Sequence, residues 1–251
     1  VAEPLEALRA VDRSSLGEED RLSYDLFEAQ VRADIDEARF PGELLAVDQL
    51  EGPQNEIPFL LAAMPLGTDA QHGDYLARLR GVDTVIAQAT ELLERGIAGD
   101  VTWPAICLRD VPAQIDAHFT DDVFDAPELA PLADAPPEVR DEAAAVFRER
   151  VVPALESLRR FLVDRYLPSA RETIAFTALP DGVEWYAERI RHHTTTDLPP
   201  REIHEMGLAE VRRITKAMRD VMDETGFSGT TAEFATFLQT DPRFYFDTPE
   251  D

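Results

Sequence analysis

The chain of 251 residues is long enough to bury a sizeable core, and its longest apolar clusters, such as Phe59 to Met64, fall far short of the ~18 consecutive apolar residues that a membrane-spanning helix needs. The 50 Asp and Glu against 24 Lys and Arg give a net charge of −26, a field that repels phosphate backbones and anionic lipid and so argues against nucleic-acid or membrane partners. A lone cysteine, Cys107, excludes an internal disulfide and reads as a small buried hydrophobe rather than a nucleophile.

Only Lys216 among the basic residues is lysine. Two readings account for this: an Arg-, Ala-, Asp- and Glu-favouring GC-rich genome, or an acidic surface adapted to high salt, where screening damps self-repulsion. The start, Val1 to Ala10, has neither a basic stretch nor an apolar run, so the chain reads as cytoplasmic.

Taken in chain order, Ser15-Leu16-Gly17-Glu18 has capping-box spacing just before Leu22, Leu26, Ala29 and Ala33, which predicts a helix over about 16–39. Pro41-Gly42 stops it, and residues 51–55 read as loop. Asp69 then caps a run in which Tyr75, Leu79, Val82, Ile86, Ala89 and Leu93 form one continuous stripe ending at Gly96, the clearest helix in the chain. Pro104 opens a further helix through Ile106, Val111 and Ile115, with a kink or break at Pro112. Residues 120–137 turn to Asp, Ala and Pro and read as a surface connection and an internal boundary. A helical stripe resumes at Val139, Ala143, Val146 and Phe147 and continues past Pro153 to Tyr166.

Leu179-Pro180-Asp181-Gly182 is a turn, with glycine supplying positive φ, and the helix after it carries Trp185, Tyr186 and Ile190. Pro199 and Pro200 suit the first turn of another, with Ile203, Gly207, Val211, Ile214, Met218 and Val221 on one face. Thr230, with Glu233 three residues on, caps a short helix from 231 to 239. The fold class expected is all-α or nearly so: long packed antiparallel helices with proline-rich connections. At Thr248-Pro249-Glu250-Asp251 the residues announce a further helix, so the sequence reads as one helical region, 1–251, forming the N-terminal part of a longer chain.

Few constellations point to chemistry. His204-Glu205 begins like a His-Glu-x-x-His zinc motif, but the i+4 position is Leu208. His192-His193-Thr194-Thr195-Thr196, beside Arg191 and Tyr186, is the densest polar cluster. It reads either as a helix end, with histidines favourable at the negative pole of the dipole, or as a substrate-contacting loop offering donors to a peptide backbone or carboxylate. The remaining histidines lack metal spacing, and no Gly-rich phosphate loop or nucleophile elbow occurs.

The stretch Tyr186 to Met218 resembles domain-of-unknown-function family 885, a prokaryotic group whose members look like zinc metallopeptidases. Tyr75 to Leu79, Glu94 to Ile97, Tyr166 to Arg171, Leu179 to Gly182 and Thr240 to Tyr245 agree with it. The resemblance implies part of a larger helical metallopeptidase-like fold of the thermolysin type, with zinc held by a His-Glu-x-x-Pro-Gly-His motif in the C-terminal half. No such motif occurs here, so no catalytic residue and no metal ligand carries over to any position. What it implies for this chain is scaffold and one wall of a substrate cleft: Tyr186, Arg191, His193, Thr194 and Thr195 facing a peptide substrate, zinc in the complete protein, and the missing C-terminal half as the partner. A non-catalytic helical interaction or scaffold protein is the competing class.

Overall fold

A computed structural model describes residues 3–246 and 248. Among them the protein is all-α, with no strand and one isolated bridge, Pro104 to Arg171. The chain divides into two compact units, residues 1–189 and 190–251, and the division falls within a helix. Of the helix expected at Thr248 to Asp251, residues 249–251 lie outside the described residues.

The larger unit contains α1 (Glu3–Arg9), α2 (Glu18–Glu37), α3 (Pro53–Ala62), α4 (Asp69–Ala98), α5 (Val111–Asp116), α6 (Pro137–Val146), α7 (Val152–Phe161), a last turn α8 (Leu167–Ser169), and most of α9 (Gly182–Thr194). Its axis is α4, whose whole predicted stripe is buried: Tyr75, Leu79 and Leu93 are fully covered, with Val82, Ile86 and Ala89 beside them. The stripe packs against α6 to α8, which form one run of helix from Pro137 to Ser169 interrupted by π-turns at Phe147–Val151 and Leu162–Tyr166. Each π-turn ends two residues before a proline, Pro153 and Pro168. Proline lacks the N–H for the i−4 carbonyl and its ring crowds that carbonyl, so a widened turn lets the helix continue where a regular one would break.

The two long helices run parallel rather than antiparallel. Arg80 pairs with Glu142, Asp83 with Arg150 and Glu94 with Arg165, so positions advance together along both. The connection between them, residues 99–136, must therefore travel back, and it contributes to the core. Ala126, Leu129 and Leu132 are fully buried, which corrects the expected surface connection: every third residue in this acidic stretch is apolar and two 3-10 turns present them inward.

Other boundaries shift for local reasons. Ser15 does not cap α2, because it sits in a 3-10 turn capped by Asp12; Gly17 is the N-cap, and Glu18, Glu19 and Asp20 meet the positive end of the dipole. The stripe named for α2 stays in water, with Leu22 and Leu26 about three-fifths exposed and Val31 buried instead. Thr68, not Asp69, caps α4 by accepting from the Gln71 amide at 3.3 Å. The supposed loop at 51–55 already contains the start of α3, and Pro112 opens α5 rather than kinking it. Cys107 is half-buried.

The smaller unit holds the end of α9, α10 (Pro200–Glu224) and α11 (Thr231–Thr240). Thr230 and Glu233 form the expected capping box, and the chain folds back through residues 225–230, so α10 and α11 make a helical hairpin.

Candidate functional site at the end of α9

The turn before α9 is built differently from the expected one. Asp181, not Gly182, takes the positive φ, at 51°. Gly182 is needed for space: a Cβ there would lie 2.5 Å from the Phe176 carbonyl oxygen. Trp185, 3% exposed, then anchors the helix in a second apolar cluster with Leu44, Val101 and Leu179. Phe40 stacks on its ring at 5.5 Å and Phe176 meets it edge-on at 4.9 Å. Because neighbouring side chains on a helix point ~100° apart, burying Trp185 turns Tyr186 outward, where it is 42% exposed near Phe176. Glu188 is buried, with Oε2 free of hydrogen bonds but 3.9 Å from the Arg189 Nε, and Arg189 also pairs with Glu37. These residues belong to the larger unit.

Arg191, His193, Thr194 and Thr195 belong to the smaller unit and are all exposed. The Thr194 hydroxyl donates to the Ile190 carbonyl at 2.7 Å and lies 2.9 Å from the Thr196 hydroxyl, and the Thr195 hydroxyl donates to the Thr194 carbonyl at 2.7 Å. Thr195 has φ 54° and its amide closes the helix on the Arg191 carbonyl at 2.8 Å. Thr195 therefore satisfies two orphan carbonyls of the helix C-terminus and its oxygen keeps lone pairs for an incoming donor, whereas the Thr194 oxygen already accepts from the Thr196 amide, at 3.3 Å, and from the Thr196 hydroxyl. His193 meets His192 edge-on at 5.1 Å, and the Arg191 guanidinium has no ion-pair or hydrogen-bond partner among the described residues. A guanidinium and an imidazole at the negative end of a helix dipole are favourably placed, and both remain open to a carboxylate or carbonyl ligand. His204 is exposed on α10.

Among the described residues no group of three or more His, Cys, Asp or Glu could hold a metal ion. The described residues do not fit a zinc site.

One polar constellation is illegible in the sequence. His118 Nδ1 lies 2.7 Å from Glu128 Oε1, with both side chains almost fully buried, and the other Glu128 oxygen has no partner. The Tyr75 hydroxyl donates 2.7 Å to the Glu128 carbonyl, and burial, with the Glu128 carboxylate nearby, pushes that phenol well above its ordinary value. The network joins α4, the end of α5 and the returning connection; the only signal for it was a glutamate flanked by apolar residues in an acidic stretch. Elsewhere burial pushes the Cys107 thiol up, with Asp48 adding to it, which leaves it a poor nucleophile.

The fold is similar to a solved structure described as "the putative lipoprotein from Colwellia psychrerythraea", with a TM-score of 0.73, 24% identity and 82% of this chain covered. The chain spans 37% of that protein's length, and at this identity the likeness carries the fold alone. No helix among the described residues is long and apolar enough to cross a membrane. No curated protein matches the sequence. The family described as "Bacterial protein of unknown function (DUF885)" matches residues 1–251 from end to end, and the chain belongs to that family.

Proposed function

We propose that these residues form the N-terminal scaffold and substrate-cleft region of a zinc-dependent peptidase whose metal site lies beyond residue 251. The reading rests on the resemblance to metallopeptidase-like proteins. The observation that carries it is the end of α9, where Arg191 and His193 stand exposed and, among the described residues, unengaged by any carboxylate in a chain of net charge −26. An unpaired guanidinium in such a chain suits a peptide carboxylate or carbonyl, and the Thr195 oxygen suits a peptide N–H group. Zinc, when bound in the complete protein, would activate water and polarise the scissile carbonyl. This chain's own share is to bind and orient the peptide.

In the complete protein, Arg191→Ala is expected to lower kcat/KM on short peptides by roughly tenfold to hundredfold, the loss of one charge-assisted hydrogen bond of ~1.5–3 kcal/mol. His193→Ala combined with Thr194→Ala should lower it as well. Unchanged kinetics in all of these variants would refute the assignment. The second reading, a non-catalytic interaction protein, is favoured by one observation, the exposed apolar face of α10. Metal analysis separates the two: one tightly bound zinc with chelator-sensitive hydrolysis supports the peptidase, and a metal-free protein supports the scaffold. For location we favour the cytoplasm; recovery of the native protein in the membrane fraction would instead align it with the description of the Colwellia protein.

A further inference from the structure

The smaller unit has almost no core of its own. Among its described residues, Met222 and Phe234 are the buried apolar side chains. Yet α10 is strongly amphipathic over 25 residues, and Val211, Ile214, Met218 and Val221, which share its apolar stripe, are 61, 47, 40 and 49% exposed. Beside α11, Ile214, Ala217, Met218 and Val221 face Phe234 and Leu238 across an apolar groove of about 370 Å³. A monomer does not ordinarily leave such a contiguous apolar face in water.

We propose that this face is covered in cis, by an amphipathic helix from the part of the polypeptide that these 251 residues do not include. Three observations favour that occupant. The chain corresponds to 37% of the length of a protein of similar fold, and in that protein further polypeptide accompanies the matched part. A groove between two helices of a hairpin accepts a third helix through ridges of residues three and four apart. A second copy is disfavoured, because each chain carries −26 and two would repel, whereas a tethered segment arrives at high effective concentration. The proposal is independent of peptidase activity and stands or falls without a substrate.

The four methionines supply the test without any substitution. Met218 lies on the exposed face, 40% exposed; Met206, 54% exposed, sits about 120° round the same helix and away from the groove; Met222 is 5% exposed on that helix, and Met64 is half-buried in the larger unit. The complete native protein is treated with dilute peroxide and the sulfoxide at each position is read by peptide mass. Cover in cis predicts that Met218 oxidises as slowly as Met222, on the order of tenfold slower than free methionine, at every protein concentration. Oxidation of Met218 well ahead of Met222 overturns the proposal. Protection that disappears on dilution, with a solution mass twice that of the polypeptide, assigns the face to a second copy and overturns it too, as does a native polypeptide no longer than this chain.

Discussion

Removing either member of the buried His118–Glu128 pair should be far more damaging than removing both. The two side chains are 4 and 2% exposed and one Glu128 oxygen already lacks a partner, so His118→Leu strands a carboxylate in an apolar setting and Glu128→Leu strands an imidazole. Stranding one member of such a pair costs about 3–5 kcal/mol, whereas replacing both with well-packed apolar side chains is near neutral or stabilising by about 1–4 kcal/mol. Each single variant should then melt roughly 10 °C lower, at about 2–4 °C per kcal/mol for a unit of this size, and the double variant should recover most of that loss. Tyr75→Phe is the control: it deletes one hydrogen bond to the Glu128 carbonyl and should cost about 1 kcal/mol, nearly independently of the pair. Trp103 and Trp185 both lie in the larger unit, so urea unfolding followed by tryptophan fluorescence reads this effect there. Single variants that each cost less than about 1 kcal/mol, or a double variant that equals their sum, would refute the coupling.

Two glycine substitutions should move stability in opposite directions. Gly182→Ala drives a Cβ into the backbone of Phe176 and Thr177, at 2.5 and 2.9 Å, and should destabilise by about 1–3 kcal/mol, while Gly81→Ala in α4 meets nothing within 4 Å and should stabilise by about 1 kcal/mol; matching denaturation midpoints would contradict this. Thr230→Ala removes the α11 cap and should speed amide exchange in α11 without altering α4. In the intact cap, hydrogen bonds from the Thr230 amide and hydroxyl hold the Glu233 carboxyl below its ordinary value of 4.5. A depressed carboxyl stabilises above that ordinary value and the benefit disappears as pH falls through the folded one, so α11 protection factors, referred to the intrinsic exchange rate at each pH, should fall on acidification in the parent and fall less in Thr230→Ala. With net charge −26, the melting temperature should climb between low salt and molar potassium chloride if the acidic surface is a salt adaptation; a flat response leaves composition alone as its cause.

Local rules wrote much of the helical content into the sequence. The four-and-three spacing from Tyr75 to Leu93 gave α4 and its buried face, Pro199-Pro200 gave the start of α10, and Thr230 with Glu233 gave the cap of α11, because each depends on atoms within about one turn of helix. The polar cluster at 191–196 was visible for the same reason, and its hydrogen bonds as a helix end are what local geometry alone produces. The π-turns were less accessible, since a proline marks where a helix is strained and neighbouring packing decides whether it breaks or widens.

What periodicity cannot say is whether anything arrives to cover a face. The stripes of α2 and α4 look alike in sequence, yet Leu22 and Leu26 meet water while Leu79 and Leu93 are sealed by α6 to α8. Residues 120–137 are acidic and proline-rich, yet Leu129 and Leu132 enter the core, with Glu128 held by His118 ten residues before it and by Tyr75 fifty-three residues before it. Helix formation is decided within a few residues by hydrogen bonds and side-chain spacing, so the sequence determined it. Burial, the parallel course of α4 and α6 to α8, and the His118–Glu128 pair are decided between residues far apart in the chain, so only the tertiary structure could supply them.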